Sequence, residues 1–205
     1  MYYGRGKVNI TFRGGNMLYV ITGGSGSGKS EFAESVAADI YKNKFQKGKL
    51  YYVATMIPYD DECIKRIERH RNMRSEKGFD TIECFCGIEK LEFSESDVVL
   101  IECMSNLIAN EMYSDKGRIK GSGDICNMAE STVVKGILKA EKDAGAVVVV
   151  TNEVFSDICR DDESRKYLKA LGYANRRLCE KADGAAEVVC GIPVWLKGKS
   201  EAKRS

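Results

Sequence analysis

The sequence predicts an α/β protein with a mostly parallel central sheet and helices on both faces. A glycine-rich octet, Gly23-Gly-Ser-Gly-Ser-Gly-Lys-Ser30, lies between the apolar run Leu18-Tyr-Val-Ile21 and a helix-patterned stretch, Glu31–Ile40. Two further runs, 97–102 and 146–151, are apolar with no alternation, the pattern of strands covered on both sides. Strand-like and helix-like segments also alternate along the chain, which favours parallel pairing with crossover helices.

Taken in order, residues 1–16 precede the first convincing strand and read as a peripheral extension, although Val8–Phe12 alternates and Met17 is a plausible start. The strand at 18–21 leads through the octet into a helix over 29–41. A polar loop, 42–49, then reaches a second buried strand, Leu50–Thr55. Pro58 and Asp60-Asp-Glu62 open a charged helix, acidic at its start as the helix dipole prefers, carrying Arg66, Arg69, His70, Arg71 and Arg74. Thr81–Phe85 reads as a third strand and Asp97–Glu102 as a fourth, ending in a carboxylate. Residues 104–113 read as helix, 113–124 as loop with three glycines, and 125–142 as a helix by its apolar spacing. Ala146–Thr151 is a buried strand, and Asp161–Lys181 a long charged helix with a break expected near Gly172. Ala186–Cys190 and Ile192–Leu196 form a closing pair of strands around Gly191, and a basic tail follows. With no repeats and no long linker, residues 17–198 are expected to form one domain and 199–205 a tail.

The 205 residues suffice for a substantial core. The net charge of +2 argues neither for nor against an anionic polymer as partner. Eight scattered cysteines without C-x-x-C, and a single histidine, make a zinc site an unfavoured reading and free thiols in a reducing cytosol the simplest one. No secretory signal and no stretch long enough for a membrane span is present, so the protein is expected in the cytoplasm.

The octet matches G-x-x-x-x-G-K-[ST] in full and in the strand–loop–helix context this motif requires. Its backbone N–H groups would face phosphate oxygens, with Gly23, Gly24, Ser25, Gly26, Ser27 and Gly28 forming the cradle. Lys29 would reach the β and γ phosphates, and the Ser30 hydroxyl would hold Mg²⁺. Glu102, at the end of an apolar strand, is the expected second acidic element on the metal. Together these predict a P-loop NTPase fold in its RecA-like form. The glycines do not fit G-x-G-x-x-G, since Lys29 occupies the last glycine position, and neither H-R-D nor D-F-G occurs. Asn43-Lys44 is followed by Phe45-Gln46, so the guanine-selecting N-K-x-D is missing. His70 among its arginines has two readings, a solvated surface residue or a nucleophile toward phosphorus with the arginines neutralising phosphate oxygens.

The chain from about residue 17 to 197 resembles the bifunctional adenosylcobinamide kinase / adenosylcobinamide-phosphate guanylyltransferases of cobalamin synthesis. The resemblance rests on the phosphate loop, Tyr52-Val-Ala-Thr55, Asp60-Asp-Glu62, Arg66-Ile-Glu-Arg-His-Arg71, Thr81-Ile-Glu83, Leu100-Ile-Glu-Cys103, Asn110, Thr151-Asn-Glu-Val154 and Asn175-Arg-Arg-Leu178. It implies phosphorylation of adenosylcobinamide by ATP or GTP, then transfer of GMP from GTP through a guanylylated histidine, with His70 in that position and Lys29 assisting catalysis. It further implies Glu102 on the metal, Thr55, Arg71 and Glu83 at the nucleotide, a corrinoid substrate, no nucleic-acid partner, and a homotrimer. The chain departs from the family pattern where Ser75 and Phe79 stand near its usual proline and tryptophan, and through Phe155–Asp162. Two rival readings remain at this point: a P-loop kinase for another small molecule without guanylyl transfer, and a nucleotide-binding regulator.

Overall fold

In a computed structural model, the described residues are 15–58, 77–121, 123–153 and 161–198. The N-terminal extension, the tail after 198 and the helix expected after Pro58 therefore lie outside them, apart from residues 15 and 16. The strands are β1 (Met17–Thr22), β2 (Leu50–Ala54), β3 (Asp80–Glu83), β4 (Val98–Glu102), β5 (Ala146–Val150), β6 (Gly184–Val189) and β7 (Ile192–Lys197). They form one seven-stranded sheet in the order β3-β2-β4-β5-β1-β6-β7. Every neighbouring pair is parallel except β6 and β7. The expected fold is therefore found. The strand carrying the phosphate loop and the strand ending in Glu102 are separated by β5.

The two-residue period of a strand divides the core into two layers. Met17, Tyr19 and Ile21 pack with Val98, Leu100, Val148 and Val150 against α1 (Lys29–Lys44), whose Ala33, Val36, Ala37 and Ile40 recur at helical spacing. Leu18 and Val20, with Val99, Ile101, Val147 and Val149, face the opposite layer. That layer contains α2 (Met104–Tyr113), α3 and α4 (Asp162–Lys181). Helix α3 runs through Ile125–Ala129, a π-helical turn at Glu130–Val134, and Lys135–Asp143. Asp124 and Asp161 cap the starts of α3 and α4 by accepting from the backbone N–H of Cys126 and Ser164.

Several boundaries differ from the sequence expectation. β3 ends at Glu83 rather than Phe85, because the Phe85 carbonyl and the Gly87 N–H are taken by Asn110 and Glu111 of α2. Gly172 does not break α4, whose buried Ala170, Leu171, Ala174 and Leu178 hold it to the sheet. Tertiary burial there outweighs the weak helix propensity of one glycine. Asp97 precedes β4 and uses its carboxylate to accept from the N–H groups of Lys49 and Ser94. Among the described residues no helix is long and apolar enough to cross a membrane.

Candidate active site

One row of register partners crosses the sheet near its C-terminal edge: Glu83, Ala54, Glu102, Val150, Ile21, Ala186 and Trp195. Residues paired in register point to the same face, and Ile21, Val150, Ala186 and Trp195 pack in the α1 layer. Glu102 is thereby aimed at the first turn of α1. Its Oε1 accepts from the Ser30 hydroxyl at 2.5 Å.

The glycine octet leaves β1 and enters α1 through left-handed backbone. Gly28, at the helix N-cap, has φ 89°, and a Cβ there would come within 3.3 Å of Gly191 Cα. A Cβ on Gly23 would lie 2.6 Å from both Ser27 Oγ and the Val188 carbonyl, so only glycine fits. Ser25, Gly26 and Gly28 are exposed while Lys29 is buried, its ammonium donating to the Gly24 carbonyl at 3.0 Å. The loop is braced from both sides. Glu153 N–H donates to the Gly23 carbonyl at 3.2 Å, and Gly191 N–H donates to the Ser27 carbonyl at 2.8 Å.

Among the described residues, two buried side-chain oxygens have no hydrogen-bond partner, Ser27 Oγ and Glu102 Oε2. A buried polar atom left unpaired is costly and needs an explanation. Both atoms belong to the elements that would meet a triphosphate and its cation. The donor set at Glu102 and Ser30 is all oxygen, which suits a hard divalent cation such as Mg²⁺.

Behind Glu102 stands Thr55. It is fully buried, and its hydroxyl donates to the Cys103 carbonyl at 2.9 Å while accepting from the Cys103 N–H at 2.7 Å. Thr55 N–H donates to the Glu102 carbonyl, and Asn110 Nδ2 donates to the carbonyls of Thr55 and Phe85. The Thr55 hydroxyl is thus spent on the backbone that follows Glu102. On the other side, Asn152 Nδ2 donates to Ser105 Oγ, which also contacts the Cys103 thiol, and the Thr151 hydroxyl donates to Asn175. Burial pushes the Cys103 thiol up, against the Ser105 contact, and pushes the Tyr167 phenol to about 12.

The structure therefore brings the octet, Lys29, Ser30 and Glu102 together. Glu83 is exposed at the end of the edge strand β3, in the same row and on the α1 face, but two strand spacings, about 10 Å, from Glu102. His70 and Arg71 lie outside the described residues. Their segment rejoins the described chain at Lys77, whose ammonium pairs with Glu34 of α1, and at Phe79, buried edge-on against Tyr52. Sequence reasoning missed Gly191 as a neighbour of the loop. Its position between two strands signalled a turn, but nothing local signalled where that turn would dock.

The model of a family described as cobinamide kinase / cobinamide phosphate guanyltransferase matches residues 19–196. The bifunctional adenosylcobalamin biosynthesis protein CobU of Escherichia coli (strain K12) is 29% identical over 189 residues, covering 88% of this chain and 100% of the relative. The CobU protein of Salmonella typhimurium is 28% identical over 193 residues, with 88% and 100% covered. Among solved structures, the ATP synthase subunit NeqB from Nanoarcheaum equitans superposes with a TM-score of 0.52 at 9% identity, covering 84% of this chain and 46% of that one, a likeness of fold alone.

Proposed function

The chain belongs to the cobinamide kinase / cobinamide phosphate guanyltransferase family, and from that premise we propose how its residues carry the two reactions. It is a bifunctional enzyme of adenosylcobalamin biosynthesis, a kinase for adenosylcobinamide and a guanylyltransferase for the resulting phosphate. The observation that carries the site assignment is the Ser30–Glu102 pair with its unpartnered buried oxygen beside the phosphate loop.

For the kinase step, the loop amides of residues 23–28 and the Lys29 ammonium hold the triphosphate and stabilise charge on the transferring group. Ser30 and Glu102 would hold Mg²⁺, which would neutralise phosphate charge when bound. For the second step, a ring nitrogen of His70 attacks the α phosphorus of GTP. An N–P bond forms, the bond to the bridging oxygen breaks, and pyrophosphate leaves. A phosphate oxygen of adenosylcobinamide phosphate then attacks the same phosphorus, the N–P bond breaks, and adenosylcobinamide-GDP and free imidazole result. Arg71 neutralises phosphate oxygens and Glu83 contacts the nucleotide at the far end of the row. Thr55 acts through Glu102, because its hydroxyl is engaged by the Cys103 backbone. A cytoplasmic homotrimer is part of the same reading, and native mass spectrometry reads the assembly directly.

The test uses GTP labelled at the α phosphate with Mg²⁺, followed by denaturation, beside His70→Ala. The expected result is covalent label that is acid-labile, base-stable, lost in the variant and discharged by the corrinoid phosphate. No label in the wild type, with γ-phosphate transfer intact, would leave a plain kinase. Nucleotide-dependent partner binding with neither transfer would leave a regulator.

A further inference from the structure

The phosphate loop has a second neighbour that the two reactions do not use. β6 and β7 are joined by Cys190 and Gly191, both at positive φ (50° and 78°), the two-residue hairpin turn whose twist matches the strands. Gly191 N–H donates to the Ser27 carbonyl at 2.8 Å, and Gly28 meets Gly191 closely enough that a Cβ would crowd it. The turn is therefore built onto the loop.

Val189 and Ile192 flank this turn as a directly opposed pair, so their side chains lie side by side on one face. They are 49% and 67% exposed, and Val194 and Leu196 continue the same exposed face along β7 away from the loop. The opposite face carries Val188 and Trp195, packed in the α1 layer. The metal-side carboxylate, Glu102, lies on the other flank of β1, beyond β5, whereas β6 pairs directly with β1. A nucleotide whose β and γ phosphates sit between the loop and Glu102 must extend its sugar and base away from the metal. Among the described residues, the β6–β7 turn borders the loop on that side.

We propose that the β6–β7 turn is the platform for the purine base of the nucleotide held by the phosphate loop, with Val189, Ile192 and the Gly191 backbone against the ring face. This rests on the reading that the loop binds a nucleoside triphosphate. An aliphatic pair grips any purine by its apolar face without reading its edge. The platform therefore accepts adenine and guanine alike.

Cys190, an exposed free thiol at the tip of the turn, reports occupancy. The experiment follows its alkylation by peptide-level mass spectrometry in the wild-type protein with Mg²⁺ and either GTP, ATP or inorganic tripolyphosphate at saturation. Both nucleotides are expected to slow alkylation about tenfold and tripolyphosphate, which lacks a base, to leave it nearly unchanged. In calorimetry, Ile192→Asp is expected to weaken both nucleotides by about tenfold or more while leaving tripolyphosphate within about twofold, because a carboxylate under the ring must be desolvated. Leu196→Asp, at the far end of the same strand face, is the control and should bind nucleotide as the wild type does. Equal protection by tripolyphosphate, or equal weakening by Leu196→Asp, overturns the proposal while leaving the loop's triphosphate binding intact. Failure of all three ligands to bind overturns both that binding and the platform.

Discussion

Glu102 and Glu111 stand on consecutive elements, β4 and α2, and differ in how their oxygens are used. Glu111 is fully buried, and both of its oxygens are engaged. Oε1 accepts from Gly87 N–H and from an Arg118 guanidinium nitrogen, and Oε2 from the Arg118 backbone N–H and Nε. Arg118 also forks onto Glu89, and burial of Glu89 is outweighed by these bonds, so its carboxyl is held below the usual range. The guanidinium is raised in turn by Glu111 and Glu89. Among the described residues, Glu102 has only Ser30 on one oxygen and no partner on the other. A carboxylate saturated by protein donors closes a loop, and one left open beside a phosphate loop is a place for a cation.

Glu102→Ala should lower kinase turnover about 10²–10³-fold, the scale of losing one electrostatic stabiliser of the transferring group. Its melting temperature should match or exceed the wild type, because the substitution removes an unpaired buried oxygen. A large fall in melting temperature would put Glu102 in the same class as Glu111. The converse substitution is Arg118→Met, which leaves Glu111 buried without its cation. Breaking such a pair costs about 3–5 kcal/mol, and the partial exposure of Arg118 places the loss toward about 3 kcal/mol. Urea unfolding reads that loss, and turnover per folded molecule should stay close to the wild type. Unchanged stability would mean that Glu111 needs no guanidinium.

The parts of this site that were legible in the sequence are those with a local signature. The octet with Lys29 and Ser30 is a contiguous motif, Glu102 ends an uninterrupted apolar strand, and β5 is a run of four valines. The sheet's layers follow from the two-residue and helical periods of Met17–Ile21 and Ala33–Ile40. What escaped is tertiary and polar. Thr55 meets Cys103, Glu111 meets Arg118 and Gly87, and Gly191 meets Ser27 through hydrogen bonds to backbone groups. Such bonds impose no periodicity on either partner, so nothing in the chain marks them. Thr151 and Asn175 are an intermediate case. Both stood out in stretches of family resemblance, and only the fold pairs them.

Thr55 offers the finer test, because it is saturated like Glu111 yet adjoins the open carboxylate. If the comparison holds, its hydroxyl serves the backbone after Glu102 and reaches the chemistry only through that residue. Thr55→Val keeps the shape but leaves the buried Cys103 N–H and carbonyl without their partner, at a cost of about 1–3 kcal/mol. With Glu102 less firmly held, kcat should fall roughly tenfold while KM for nucleotide stays near its wild-type value, the signature of an interaction made only in the transition state. Thr55→Ser restores the hydroxyl and should recover most of both losses. A direct contact between Thr55 and nucleotide predicts the opposite split, a raised KM with kcat preserved. That result would move Thr55 out of the supporting backbone and into the binding surface itself.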